Sequence, residues 1–243
     1  MPLTFNERTN QVLTIENKLM QEELDNLAEF TDKKYLKIQE KKTNVMKFNF
    51  SKNHDFRPEL MIGGFKDNLE VITETKLLGI MLSDDLKWAS NTDYICKRGY
   101  SKMWTLRRMK VLDVEPTVIL DVYLKEIRSL LELAVPAWHS GRTQRQSSDI
   151  ERVQKVALYT GMSEYSYDMA LVILDLEPLD VRRETLCLSF AKKTLKSRHK
   201  DMFVENTIEH FTREKPRFIE PKSNTRRFIN SPLNHMTRLL NYS

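Results

Sequence analysis

The sequence predicts an α+β arrangement at the N-terminal end, then a mostly α-helical body, then a flexible basic tail. Three observations predict it. Up to about Trp88 the apolar residues sit in short alternating runs bounded by polar or glycine turns. Beyond Trp88 they recur at helical spacing. From His210 onward the chain holds Pro216, Pro221 and Pro232 and few spaced apolar residues, the composition of a segment that is loose or orders only on contact.

With 243 residues, 40% of them hydrophobic and 30% charged, the chain is long and apolar enough for a real core. No run approaches ~18 uninterrupted apolar residues, so no membrane span is expected. Glu7, Arg8, Thr9 and Asn10 break the first apolar stretch, which therefore fails as a signal peptide. Two cysteines, Cys96 and Cys187, point to a reducing, intracellular setting. Six glycines leave no Gly-rich phosphate loop. The net charge of +5 falls entirely between His210 and Ser243. There Arg213, Lys215, Arg217, Lys222, Arg226, Arg227 and Arg238 face only Glu214 and Glu220. Such a tail is either a phosphate-seeking arm or a solvated mobile end.

Each element follows in order. Between Ile15 and Phe30, Leu19, Met20, Leu24 and Leu27 share one side of an amphipathic helix, with Glu22, Glu23, Asp25 and Glu29 elsewhere. Leu36–Ile38 and Val45–Phe48 flank the polar turn Gln39–Thr43 and read as a small antiparallel pair. Gly63-Gly64 suggests a second hairpin joining Leu60–Ile62 to Glu70–Ile72. Lys76–Leu82 reads as a further strand.

Asn91 or Thr92 can cap a helix running to Val111. Pro116 and Thr117 open the most apolar helix, which ends before Pro136. Its narrow polar stripe is Asp121, Lys125, Arg128 and Glu132, laced by two four-apart opposite pairs. Ser148-Asp149-Ile150-Glu151 has the capping-box pattern and starts a helix bearing Ile150, Val153, Val156 and Ala157. After a short element from Tyr167 to Leu174, Pro178 opens the last helix. That helix is expected to bury Leu179, Leu186, Phe190 and Leu195 and to expose Arg182, Arg183, Lys192 and Lys193.

Several residues invite a chemical reading. Asp84-Asp85 closes an apolar strand, where polymerases hold metal ions, but two-metal catalysis needs a carboxylate from another strand and none is evident. Asp84 therefore reads as the cap of the turn into Leu86-Lys87-Trp88. His54, His139, His199, His210 and His235 lie far apart, and neither cysteine has a nearby His or second Cys. That spacing points to no zinc site, and to no iron site of two His and a carboxylate. The expectation is no metal and no cofactor. The helix from Asn91 to Val111 is more informative. Ile95, Cys96, Met103, Leu106 and Met109 form its apolar face, and Lys97, Tyr100, Trp104, Arg107 and Arg108 share the other. Such a face neutralises phosphates while its rings stack on bases. The alternative is that Trp104 and Tyr100 pack on a neighbouring helix while the basic groups snorkel outward. Lys41-Lys42-Thr43 offers phosphate contacts of low specificity.

Taken in order, these segments resemble the non-LTR (LINE-like, jockey-type) retrotransposon reverse transcriptases. Leu36-Lys37-Ile38-Gln39-Glu40-Lys41-Lys42-Thr43-Asn44-Val45-Met46 resembles that family's "LKIN-x-KKTKVM" palm segment. Lys76-Leu77-Leu78-Gly79-Ile80 with Asp85-Leu86-Lys87-Trp88 resembles the next motif, which positions the primer end. Asn91–Ile95, Tyr100–Trp104, Leu106-Arg107-Arg108 and Leu131–Pro136 resemble the thumb, and Asp149–Lys155 and Leu186–Lys193 the segment downstream. The likeness covers nearly the whole chain from about Ile15.

The resemblance implies a palm remnant over residues 1–88, thumb-like helices over 89–140, a C-terminal helical region over 141–209 and a basic, loosely ordered tail over 210–243. It also implies a catalytically incomplete chain, because the Mg²⁺-binding carboxylates of the family precede the Lys-Lys-Thr segment and only about forty residues do so here. The implied partner is RNA or an RNA–DNA hybrid, contacted by Lys42, Lys76, Lys97, Trp104, Arg107, Arg108, Arg226 and Arg227. A structural or protein-interaction module without nucleic acid is the alternative. Lys76–Arg108 also resembles the N-terminal domain of an AlkB-family tRNA-modifying protein, which would imply a nucleic-acid modification enzyme.

Overall fold

A computed structural model describes residues 5–48, 60–62, 69–161, 165–206 and 216–243. The protein is mostly helical, with a small strand region near its N-terminal end. It divides into two compact units: Met1–Thr75 with Ser83–Asp85, and Lys76–Leu82 with Leu86–Ser243.

In the first unit, helix α1 spans Phe5–Lys33, longer at both ends than the spacing predicts. A small core of Leu60, Ile62 and Leu69 gathers Leu24, Ala28, Ile38 and Val45 around it. Leu19 and Leu27 stay exposed. The Gln21 amide reads the backbone of Met61 twice, donating to its carbonyl (2.7 Å) and accepting from its N–H (3.0 Å). The antiparallel pair predicted around the polar turn does not form. Glu40–Lys42 is instead a 3₁₀ turn, closed by Lys42 N on Gln39 O (3.0 Å) and by the Thr43 hydroxyl on the same carbonyl (2.9 Å). That turn keeps Leu36–Ile38 out of the sheet. Strand β1, Asn44–Met46, pairs in parallel with β2, Glu70–Ile72, in the register Val45 to Val71. Leu60–Ile62 is not a strand, although Leu69 N donates to Leu60 O (2.8 Å). Gly63-Gly64 lies outside the described residues.

The segment read as one strand from Lys76 is two, β3 (Glu74–Leu77) and β4 (Ile80–Ser83). Leu78 and Gly79 between them both take positive φ (48° and 95°), the two-residue turn that matches strand twist. Gly79 also sits against Leu133, where a Cβ would meet Leu133 Cδ2 at 2.9 Å.

The second unit is helical. Helix α2, Ala89–Val111, begins earlier than expected, with Trp88 in the left-handed region at its start. Asn91 is buried rather than capping, and its Oδ1 accepts from Met81 N (3.0 Å). The apolar helix predicted from Pro116 to Pro136 forms in three parts: α3 (Pro116–Val122), a π turn (Tyr123–Arg128) and α4 (Ser129–Leu131). It is central to the core, with Ile119, Tyr123, Ile127 and Leu131 at 2% exposure or less. The predicted pairs hold, Lys125 Nζ to Asp121 at 2.6 Å and Arg128 Nε to Glu132 at 3.5 Å. Ala134, at φ 53°, ends this run and α5 follows over Val135–Trp138.

Helix α6 spans Gln144–Gly161 and starts one turn before the predicted box. The capping box is Thr143 with Gln146: Gln146 N donates to Thr143 Oγ1 (3.3 Å) and Thr143 N to Gln146 Oε1 (2.6 Å). Helices α7 (Tyr167–Ile173) and α8 (Leu179–Leu195) follow. The buried face of α8 is Leu179, Arg183, Cys187, Ala191 and Thr194, so Arg183 is inside and Phe190, at 48% exposure, is outside.

The tail is not loose where it is described. Glu205 bridges to Phe218, and Asn241 holds Phe218 through both backbone groups (2.8 and 3.0 Å). Helices α9 (Arg226–Ile229) and α10 (Pro232–Asn241) follow, capped by Thr225 and Ser231. Helix α10 packs against α8 and α5 and buries Met236 and Leu240 in the main core. The expectation failed because the apolar stripe is only ten residues long and lies behind Pro232, which is a helix start rather than a breaker.

Candidate nucleic-acid interface

Helices α2 and α6 run side by side in the same direction. Gly99 faces Val153, where a Cβ would meet Cγ1 at 2.7 Å, so this glycine allows the close approach. A Cβ on Gly161 would be in ordinary contact with Leu106 and packs tightest on Ile119 of α3 (3.0 Å). That contact, with α3 and α4 behind it, leaves the opposite face of α2 to solvent. At about 100° per residue, Lys97, Ser101, Trp104 and Arg108 fall within one narrow stripe, edged by Tyr100 and Arg107. All are exposed, Trp104 at 69% and Tyr100 at 39%.

Apart from Lys110 in its last turn, the cations on α2 divide into two sets. Arg98 leans on Tyr94 (3.2 Å to its hydroxyl), and Lys102 pairs with Glu126. Lys97, Arg107 and Arg108 form no ion pair among the described residues. They surround the exposed indole with uncompensated positive charge. Tyr100 lies close enough to Arg152 and Asp149 of α6 for their charges to act on its hydroxyl, which burial raises first of all.

A second aromatic group lies on α6 and α7. A cleft of about 410 Å³ is lined by Tyr159, Tyr165 and Tyr167 with Arg152 and Lys155. Tyr159 and Tyr165 are exposed at 71% and 63%, and Lys155 Nζ stands 5.9 Å from the Tyr167 ring centre. The Tyr167 hydroxyl donates to Glu151 and receives the Gln154 amide (2.8 Å), which fixes the ring. Sequence reasoning missed this cleft. Its one visible signal was the spacing of Arg152, Lys155 and Tyr159 on an exposed helix stripe.

Of the residues expected to touch nucleic acid, the structure brings Lys97, Trp104, Arg107 and Arg108 together. Lys76 is exposed but lies over the Tyr94 ring, 5.1 Å from its centre, and its hydrogen bond holds the Tyr94 hydroxyl below the usual phenol range. Arg226 and Arg227 lie on α9, exposed but on a different element. Lys42 is exposed on its 3₁₀ turn in the other unit. Asp84 and Asp85 form the turn after β4, where Asp84 N donates to Thr73 O (2.9 Å) and Asp85 accepts from Ser83 Oγ (2.9 Å).

The fold also gathers side chains whose spacing carried no signal. His139, after α5, Cys187 on α8 and His235 on α10 place their ligand atoms within 4.8 Å of one another. Glu184, one turn before Cys187, reaches both rings: His139 Nε2 to Oε1 at 2.9 Å and His235 Nε2 to Oε2 at 3.0 Å. Burial brings the His139 pKa down to about 4 against the opposing pull of Glu184, and it lowers that of His235. Both shifts favour neutral rings at pH 7; on His139, Nε2 then donates to Glu184 and the Nδ1 lone pair accepts from Arg142 NH1 at 2.6 Å.

Compared with known protein families, with curated proteins and with solved structures, the chain matches none.

Proposed function

We propose that the chain binds single-stranded RNA or an RNA–DNA hybrid along the exposed face of α2, as the thumb-like and C-terminal helical part of a protein of the non-LTR reverse-transcriptase type. The observation that carries this reading is Trp104, 69% exposed on a stripe with Lys97, Arg107 and Arg108. Among the described residues this indole is mostly exposed and stands among cations without ion pairs. It suits a polyanion with stackable bases, to which each stacked base adds about 1–3 kcal/mol. The tyrosine cleft beside it extends the same chemistry. The reading assigns the chain binding and no polymerisation, so primer extension with Mg²⁺ or Mn²⁺ should give no template-directed product.

Fluorescence anisotropy with a labelled oligonucleotide tests the binding claim. Replacing Lys97, Arg107 and Arg108 together by Ala should weaken affinity and flatten the slope of log K against log salt by about 2 to 3. An unchanged slope would remove the α2 face from the account. A protein-interaction module is the second reading, favoured by the exposed Met169, Val172 and Ile173 on α7. It predicts no salt-dependent oligonucleotide binding at all.

A further inference from the structure

We propose that His139, Cys187 and His235, with Glu184 as fourth ligand, form a binding site for a single Zn²⁺ ion that ties α10 to α5 and α8. Two imidazoles, one thiol and one carboxylate are a donor set that zinc takes in tetrahedral geometry. The thiolate disfavours Mg²⁺, Ca²⁺ and Mn²⁺, which prefer oxygen donors.

Four observations carry the assignment. The first is distance. In a tetrahedral site with bonds of about 2.0–2.3 Å, neighbouring ligand atoms stand roughly 3.3–3.7 Å apart. The three ligand atoms lie within 4.8 Å of one another, so a contraction of roughly 1 Å brings them to that spacing, and Glu184, 2.9 and 3.0 Å from the two rings, is the carboxylate beside them. The second is unmet polar demand. His235 Nε2 and Glu184 Oε2 are fully shielded and face each other as an ion pair at 3.0 Å, without the alignment of a good hydrogen bond. Buried polar atoms of that kind call for a partner, and an ion between them supplies one.

The third is charge. Arg142 and Arg183 stand nearby, which would repel a bare cation. The Cys187 thiolate and the Glu184 carboxylate together cancel the two charges of Zn²⁺, so the coordinated set is neutral. Coordination through His139 Nε2 puts the ring proton on Nδ1, which Arg142 NH1 now approaches at 2.6 Å. Arg142 must then leave that nitrogen for the groups it already holds, the His139 carbonyl, Asp180 and Ser147. The fourth is access. A polar pocket of about 210 Å³, lined by His139, Ser140, Arg142, Thr143, Glu184 and His235 among others, opens the two imidazoles and Glu184 to solvent and gives an entry path.

The test uses the full chain, metal-stripped and then titrated with Zn²⁺ and separately with Co²⁺ as a spectroscopic probe. The expected result is one ion per chain, intense visible bands of tetrahedral Co²⁺ and a near-ultraviolet sulfur-to-cobalt charge-transfer band. Cys187→Ala should remove that charge-transfer band. His235→Ala, at the least buried of the His and Cys ligands, should weaken Zn²⁺ by more than about 100-fold, beyond the loss of an outer-shell partner, with the far-ultraviolet circular dichroism unchanged. His199→Ala, a histidine outside the cluster, should bind like the parent. Substoichiometric metal, or Co²⁺ bound without a thiolate band, or Zn²⁺ affinity insensitive to both Cys187→Ala and His235→Ala, would overturn the proposal.

Discussion

Trp88 and Trp138 are inside the second unit at 8% and 0% exposure, whereas Trp104 is 69% exposed. Trp138 also satisfies its indole, donating to Leu133 O at 2.8 Å. The general preference of Trp for burial favoured the packing alternative for Trp104, and the fold places it the other way. Residues with no apolar exit set the pH response. Burial pushes the Cys96 thiol up from 9.0 to about 11, helped by Asp149 and Asp93, and burial likewise raises the Tyr123 hydroxyl. In the unfolded chain these groups ionise near their ordinary values, so above pH ~9 the folded state keeps protons that the unfolded state has lost. Stability therefore falls as pH rises from about 9 to about 11, by at most about 1.4 kcal/mol per pH unit for each group. Urea unfolding at stepped pH should show the decline, and Cys96→Ala should reduce it. A flat profile over that window would contradict the burial assigned to both groups.

Among the described residues, α2 and α6 share the most extensive helix contact. A Cβ on Gly99 would meet Val153 Cγ1 at 2.7 Å, so Gly99→Ala must separate the helices or force Val153 off its rotamer. Helix propensity would gain up to about 1 kcal/mol from that change. Overpacking costs about 1–3 kcal/mol and should win, giving a net loss in denaturant unfolding that Gly99→Ala with Val153→Ala partly restores. A stabilised Gly99→Ala chain would refute the contact. Helices α2, α3, α6, α7 and α8 were legible from apolar spacing because burial on one side leaves a period. The phase of α8 was not. Its inward stripe runs through Arg183, Cys187 and Thr194, so an apolar-only reading rotates the helix toward Leu186 and Phe190. The α6 start was missed for a similar reason, since two Ser/Thr-x-x-Glu/Gln patterns compete and only tertiary contacts choose Thr143. Glu151 from the losing pattern is spent elsewhere, accepting from Leu179 N (3.2 Å) at the start of α8. The strand pairing of β1 was invisible, because its partner is more than twenty residues further along the sequence and parallel pairing carries no turn signal.

At the scale of the whole molecule, the C-terminal end belongs to the core of the second unit. Met236 and Leu240 join its buried cluster, and Asn234 is buried at 1% exposure with its amide on Phe228 O (2.6 Å) and Ser223 Oγ (2.8 Å). A chain ending at Glu209 should therefore lose stability by several kcal/mol rather than merely shed positive charge, and thermal unfolding would register it. An unshifted midpoint would return α10 to the role of an appendage. The candidate sites follow the same division. The α2 face was legible because one helix holds all of it. The tyrosine cleft and the His139–Cys187–His235 cluster were not, since they exist only where several elements meet. Burial of the other two tryptophans makes Trp104 a built-in reporter of the central claim, that bases stack on the α2 face. Intrinsic fluorescence should be quenched saturably on titration with a single-stranded oligonucleotide. The quenching should weaken as salt rises and disappear in Trp104→Phe. Quenching that persists unchanged in that variant, or none at any salt concentration, would contradict the account.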